Sequence, residues 1–304
     1  MDFGKLSNIE GVDFVLPPDD GATAAVLGRF ARADALYVYV GCTGWGTKEW
    51  VGKWYPSGAK PPQFLGHYGS QFNTIELNTT HYRTPDVATV RNWLTAVPSD
   101  FRFCPKVLQG ISHSRSLGVE SGQVEVFAEA IAGLESRLGA CFLQLPPTFG
   151  RGSLPVLATF LAHWPSYLPL LVEGRHADLF TDALVRDDYF SLLEAHGVGA
   201  VLTDVSGRRD VLHQRLTSTT AMIRFVGNGL HATDFSRIDA WVERLMSWYE
   251  CGLREVFFFA HEPDNILAPD LASYICTRFQ LYQQVVVRGP SDFSMEDGQQ
   301  MSLF

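Results

Sequence analysis

Six charged side chains stand at the ends of short apolar runs, and such runs read as strands of a buried sheet. Glu76 closes the run around Ile75 and Leu77, Lys106 follows Phe101-Arg102-Phe103-Cys104-Pro105, and Glu173 with Arg175 closes Leu170-Leu171-Val172. Asp204 ends Ala200-Val201-Leu202-Thr203, and Arg224 ends Ala221-Met222-Ile223. A charge at the end of a buried strand must be paired, hydrated or put to use. Mixed signs fit two chemistries at once. Arg175, Arg224 and Lys106 suit a carboxylate or phosphate, while Glu173, Glu76 and Asp204 suit proton exchange as general base or acid. Glu173 ranks first, because Arg175 on the same strand face can orient it. Asn78, Gln144 and His261, also at strand ends, are the residues expected to orient a substrate.

Other features carry a bland reading beside the chemical one. Gly227-Asn228-Gly229 follows Arg224 and could offer backbone N–H groups to a phosphate, yet Gly-Asn-Gly is also an ordinary tight turn. Trp45, Trp50, Trp54 and Tyr55 cluster after the first run, and Tyr82 and Arg83 follow the second. Most such rings pack a loop; Trp45 and Tyr82 are the candidates for stacking on a sugar or base. Glu76, Glu173, His176, Asp204 and His261 could hold a divalent metal, but Arg224 and Lys106 in the same ring oppose a bound cation. No metal or cofactor is therefore assigned, and His176 counts with the substrate contacts. Cys42 lacks a histidine partner in sequence to activate it. His81 and His113 belong to loops near the strand ends.

These residues depend on the elements that present them. Side chains alternate along a strand, so Glu76 shares a face with Asn78, Glu173 with Arg175, and Lys106 with Cys104. The same argument turns Asp204 and Arg224 inward, with Ile223 and Phe225 outward. Eight apolar runs occur, beginning with Leu36–Val40. Helices are expected at Asp86–Ala96, Gln123–Leu138 (stopped by Gly139), Leu154–Ala162, Asp182–His196, Asp234–Cys251 and Pro269–Val287. Alternating strands and helices imply a parallel sheet, and eight such units imply an α/β chain closed as a TIM-type (β/α)8 barrel. The barrel spans residues 36–288, between an N-terminal extension, 1–35, and a flexible tail, 289–304. An open doubly wound sheet ranks lower, because no glycine-rich phosphate turn sits between a strand and a helix.

With 304 residues, 46% of them hydrophobic, the chain can build one large core, and a βα barrel needs about 250. The formal charge of -9 argues against a surface made for non-specific binding to nucleic acid or anionic membrane. No apolar run reaches the roughly 18 residues of a membrane span, and Met1-Asp2-Phe3-Gly4-Lys5 does not open like a secretory signal. Five cysteines, odd in number and without metal-type spacing, read as reduced thiols. The expected setting is cytoplasmic.

The string Gly41-Cys42-Thr43-Gly44-Trp45, followed by Phe72-Asn73-Thr74-Ile75-Glu76-Leu77-Asn78-Thr79-Thr80-His81-Tyr82-Arg83, resembles the family called domain of unknown function 72. Phe101-Arg102-Phe103 with Lys106, Gln144-Leu145-Pro146-Pro147 and Glu173-Gly174-Arg175-His176 continue the same order. The resemblance implies a TIM-type barrel and names no reaction. Three departures stand out: Cys42-Thr43 where the family usually has Thr-Ser, Val226 where it often has a histidine, and Ala260-His261 where it often has Asn-Asn. The ending Gln300-Met301-Ser302-Leu303-Phe304 resembles the bacterial sliding-clamp-binding peptide. There Gln300, Met301, Leu303 and Phe304 would dock into an apolar groove.

Three functions follow as expectations. The first is an enzyme of hydrolase or lyase type acting on a small anionic, phosphate- or sugar-bearing substrate at the strand-end rim. The second is a clamp-recruited DNA-repair accessory or nuclease. The third is a non-catalytic barrel that binds a metabolite.

Overall fold

The computed structural model describes residues 4–290. Along them run β1 (Leu36–Gly41), β2 (Thr74–Leu77), β3 (Arg102–Pro105), β4 (Cys141–Gln144), β5 (Leu170–Glu173), β6 (Gly199–Asp204), β7 (Thr220–Val226), β8 (Glu255–His261) and β9 (Val285–Val287). Every apolar run of the sequence is a strand. Helices fill the connections, among them Val87–Ala96, Leu154–His163, Ala183–Ala195 and Ala232–Cys251. Asp86 and Asp182 cap their helices from outside, accepting the N–H groups of Thr89 (2.8 Å) and Leu184 (3.0 Å), as residues that satisfy the first turn should.

Several boundaries differ from expectation. The helix Gln123–Ala132 stops at Gly133, well before Gly139. Gly139 serves packing instead, for a Cβ there would lie 2.8 Å from Cys104 Sγ and 2.9 Å from Phe257. The last helix, Ala268–Phe279, ends early, and the β-branched Val285–Val287 forms β9 beside β1. A helix at Phe64–Gln71 went unread in the sequence, because its glycines and polar residues blur the apolar period.

All strand pairs are parallel. The order β4-β5-β6-β7-β8-β1-β9 forms one seven-stranded sheet, and β2-β3 forms a separate pair. The fold is α/β and TIM-like, with its ladder in two pieces where one eight-stranded ring was expected. Isolated bridges tie the two pieces together, Phe103 of β3 to Leu138 ahead of β4 and Lys106 just past β3 to Phe142 of β4. Between β1 and β2, one backbone bond, Glu76 N to Cys42 O at 3.0 Å, is joined by side chains that stand in for the rest of the ladder. Asn73 accepts from Val40 N (2.8 Å) and donates to Val38 O (3.0 Å). The Tyr68 hydroxyl accepts from Cys42 N (2.7 Å) and donates to Thr74 O (2.9 Å). Gly41 permits this close approach, since a Cβ there would fall 2.0 Å from Thr74 O.

Parity divides the apolar residues into two cores. The larger lies between strands and helices. The smaller gathers Cys104, Phe142, Leu171, Val201, Met222 and Phe259, among others, from the opposite strand faces. Two residues farther along those six strands stand Lys106, Gln144, Glu173, Thr203, Arg224 and His261. The candidate site is thus the polar layer capping the inner core.

The N-terminal extension packs on the outside, against Ala232–Cys251. Trp248 donates to Asp19 at 3.0 Å, and Arg244 donates to Pro17 O at 3.3 Å. The Arg237 guanidinium lies between the rings of Phe14 (4.7 Å) and Phe225 (4.2 Å). Among the described residues, no helix is long and apolar enough to cross a membrane.

Candidate active site

Arg224 is the hub of the polar layer. Its Nε and Nη2 donate to Glu76 at 2.8 and 2.9 Å, and its Nη1 donates to Glu173 Oε2 at 2.8 Å. All three residues are buried. Glu173 also accepts from Gln144 Nε2 (2.7 Å), Arg175 Nε (3.1 Å) and Thr203 Oγ1 (3.1 Å). Glu76 accepts from Asn78 Nδ2 and His261 Nε2, both at 3.0 Å. A carboxylate only accepts, so His261 Nε2 carries a proton. Burial alone would raise both carboxyls. Their partners outweigh it: Arg224, with the His261 N–H, holds Glu76 well below the usual range, and Arg175 and Arg224 bring Glu173 down to about 2. A carboxylate this acidic, with its lone pairs engaged, is a poor proton acceptor at neutral pH. The bonds of the two carboxylates hold Arg224 and Arg175 in place.

Lys106 stands apart in this layer. It is 5% exposed, and among the described residues its ammonium has no hydrogen-bond partner. Burial first, then the charge of Arg224, lowers its pKa to about 8. Two histidines lie within its electrostatic reach. His81 Nδ1 bonds the Val107 carbonyl at 2.8 Å; the carbonyl can only accept, so Nδ1 carries the proton and Nε2 keeps a lone pair. Burial lowers His81 to about 4, and burial with the Lys106 charge also depresses His113. Both line an open cavity of about 580 Å³ that includes Tyr82, Gln109 and Gln123.

Other expected residues lie elsewhere. Asp204 faces outward: β6 pairs with β7 so that Thr203 opposes Arg224 and Asp204 opposes Phe225. Its carboxylate accepts from Arg237 (2.9 Å), Trp241 (2.8 Å) and Arg209 on the helix side. Thr203 takes the inner place. It went unread because it looks like part of the apolar run, although counting back from Arg224 would have found it. His176 is half-buried outside the layer and accepts from Asp178 N at 3.2 Å.

The Gly227-Asn228-Gly229 turn does not offer its N–H groups to a ligand. Gly227 N donates to His261 O (2.9 Å), Asn228 N to Asp234 (2.8 Å) and Gly229 N to Glu262 (2.8 Å). The chain's own carboxylates fill the phosphate's place. Burial foremost raises Glu262 to about 7. Beside this turn a second cavity, about 400 Å³, is lined by His231, His261 and Glu262 and roofed by residues 5–9.

Trp45 packs half-buried against the main core, its carbonyl accepting from Tyr55, and Trp50, Trp54 and Tyr55 are buried. Tyr82 is exposed at the edge of the larger cavity. Arg83 is exposed too, close enough to Asp86 to help depress its carboxyl. Among the described residues, no three histidine, cysteine, aspartate or glutamate side chains converge as a metal site. Asp204 and His176 have turned away from the other three expected ligands. Burial pushes the Cys42 thiol up, which suits packing better than attack. Gln300, Met301, Leu303 and Phe304 lie outside the described residues.

Comparison with known proteins agrees with this architecture. A family model described as "Protein of unknown function DUF72" matches residues 39–294. UPF0759 protein YecE of Escherichia coli (strain K12) is 30% identical over 252 residues, covering 77% of this chain and 89% of YecE. UPF0759 protein YunF of Bacillus subtilis (strain 168) is 24% identical over 53% of this chain and 58% of its own. The crystal structure of a DUF72 family protein from Enterococcus faecalis V583 superposes with a TM-score of 0.66 at 20% identity, covering 84% of this chain and 100% of that one. With the family model matched over most of its length, the chain belongs to the DUF72 family.

Proposed function

We propose that this protein is an enzyme of hydrolase or lyase type, acting on a small anionic substrate at the C-terminal strand ends of a TIM-type barrel. One observation carries the reading. Lys106, Arg175 and Arg224 face the carboxylates Glu76 and Glu173, so the layer holds one positive charge in excess. That excess falls on Lys106, whose ammonium has no hydrogen-bond partner among the described residues. A buried charge of this kind is costly unless something answers it, and a monoanionic substrate answers it. Proton exchange then passes to Lys106 and to the Nε2 of His81, while Glu76 and Glu173 position the arginines.

Thermal unfolding with inorganic phosphate or pyruvate, at ionic strength held constant with chloride, tests the reading. A ligand bound only by the folded state raises the midpoint in a saturable way. We expect that rise in the wild type and its loss in Lys106→Met. An equal response in the two proteins would refute the site. Stabilisation by every anion tried, with none of them converted, would point to a binding protein instead of an enzyme.

A further inference from the structure

We propose that Lys106 is a catalytic nucleophile that forms an imine with the carbonyl carbon of a small anionic aldehyde or ketone, such as a 2-oxo acid. The inference rests on the anion site described above and names its substrate class. The chain has five lysines: Lys5, Lys48, Lys53 and Lys60 are exposed, and Lys106 alone is buried. A lysine placed for an ion pair would have a carboxylate to itself. Here the two carboxylates of the layer are taken up by Arg224, Arg175, Gln144, Thr203, Asn78 and His261. Burial first, then the Arg224 guanidinium, disfavours the charged form of the amine more than the two engaged carboxylates favour it, which is how a lysine is prepared for attack on a carbonyl. The net positive charge of the layer suits a substrate that carries a carboxylate or phosphate.

The step balances within the site. The free amine of Lys106 attacks the carbonyl carbon; the N–C bond forms, and the C=O π pair moves onto oxygen. That oxygen takes a proton released by the nitrogen, for which the lone pair of His81 Nε2 is the available relay. The C–O bond then breaks, and the hydroxyl leaves as water with the proton that the ammonium first carried. Ammonium plus carbonyl thus gives iminium plus water, with no oxidant or further reactant. Around Lys106 the charged and titratable groups are Glu76, Glu173, Arg175 and Arg224 in the layer, with His81 and His113 beside it.

The test is reductive trapping on the full-length protein. Wild type is incubated with glyoxylate or pyruvate and sodium cyanoborohydride at pH 7, and the modified lysine is located by peptide mass spectrometry. An amine with a pKa near 8 holds on the order of a hundredfold more free base at pH 7 than an ordinary lysine. Labelling at Lys106 should exceed that at exposed Lys53 by at least about tenfold, saturate with probe and be suppressed by inorganic phosphate. Its rate should level off above pH 8 while labelling of Lys48 and Lys53 keeps rising. Lys106→Arg should lose the adduct while still being stabilised by phosphate, since it keeps the charge. Labelling spread evenly over the five lysines, or absent from Lys106 with glyoxylate, overturns the nucleophile. If phosphate still stabilises the wild type in that case, the anion site survives without it. If Lys106 is trapped but no anion stabilises the protein, the anion reading fails instead.

Discussion

Arg224 shows how much one side chain can carry. It forks to two buried carboxylates, and its loss would leave Glu76 without a guanidinium and Glu173 with Arg175 alone, so Arg224→Met should cost about 3–5 kcal/mol in urea unfolding. Arg224→Lys should recover only part of that loss, because an ammonium cannot span both carboxylates with paired bonds. The pH dependence follows from the same geometry. Folding lowers Glu173 to about 2 from an ordinary value near 4.3. Its stabilisation is therefore complete above pH ~4.3 and fades as pH falls toward 2, by on the order of 3 kcal/mol. Lys106 works in the opposite sense. Its folded value of about 8 lies below the ordinary ~10.4, so its penalty is full below pH 8 and relieved between 8 and ~10.4. Lys106→Met should accordingly be more stable than wild type at pH 7, by about 1–3 kcal/mol. A loss of stability instead would mark Lys106 as a structural residue. Glu76, Glu173 and Arg224 were legible in the sequence because a charge ending an apolar run stands out. Asp204 looked the same, and only the register of β6 against β7 reveals that it faces the helices.

At the scale of elements, the seam between β1 and β2 holds what the ladder does not. Asn73 is shaped like a short piece of strand, giving one acceptor to Val40 N and one donor to Val38 O. Asn73→Ala would leave both backbone groups buried and unpaired, at about 1–3 kcal/mol each. Urea unfolding should register that cost, and amide exchange at Val40 should accelerate; an unchanged Val40 rate would mean the seam holds by other contacts. Gly41→Ala should be at least as harmful, since a Cβ would strike Thr74 O. Strands and most helices were legible because apolar runs and aspartate caps are local signals. Asn73, Tyr68 and β9 were not, because each acts across distances in sequence that periodicity cannot see. The phosphate turn failed for a similar reason: its donors are consumed by Asp234 and Glu262, far enough along the chain that the tripeptide alone still looked vacant.

Across the whole molecule, β6 and β7 carry two charge networks on opposite faces, one residue apart. Thr203 and Arg224 serve the inner layer, while Asp204 and Phe225 serve an outer one that includes Arg237. That arginine bonds Asp204 at 2.9 Å, Asp234 at 2.8 Å and Val226 O at 2.9 Å. Asp234 in turn fixes the N–H groups of Asn228 (2.8 Å) and His231 (2.9 Å). Since Phe14 stacks on the buried Arg237, the extension is placed to help hold the loop after β7, a link invisible while residues 1–35 read as a mere appendage. Phe14→Ala removes a cation–π partner from Arg237 and, at 5.5 Å, from Arg209, for a cost of about 1–2 kcal/mol. The informative readout is local. Amide exchange should quicken at Asn228 and His231, while stabilisation by phosphate at Lys106, which sits on the β3 side, should stay as in the wild type. If exchange at those two amides is unaltered, the extension is attached to the outer network without supporting it. If the phosphate response falls as well, the two networks are coupled through β6 and β7, and the outer face becomes part of how the site is held.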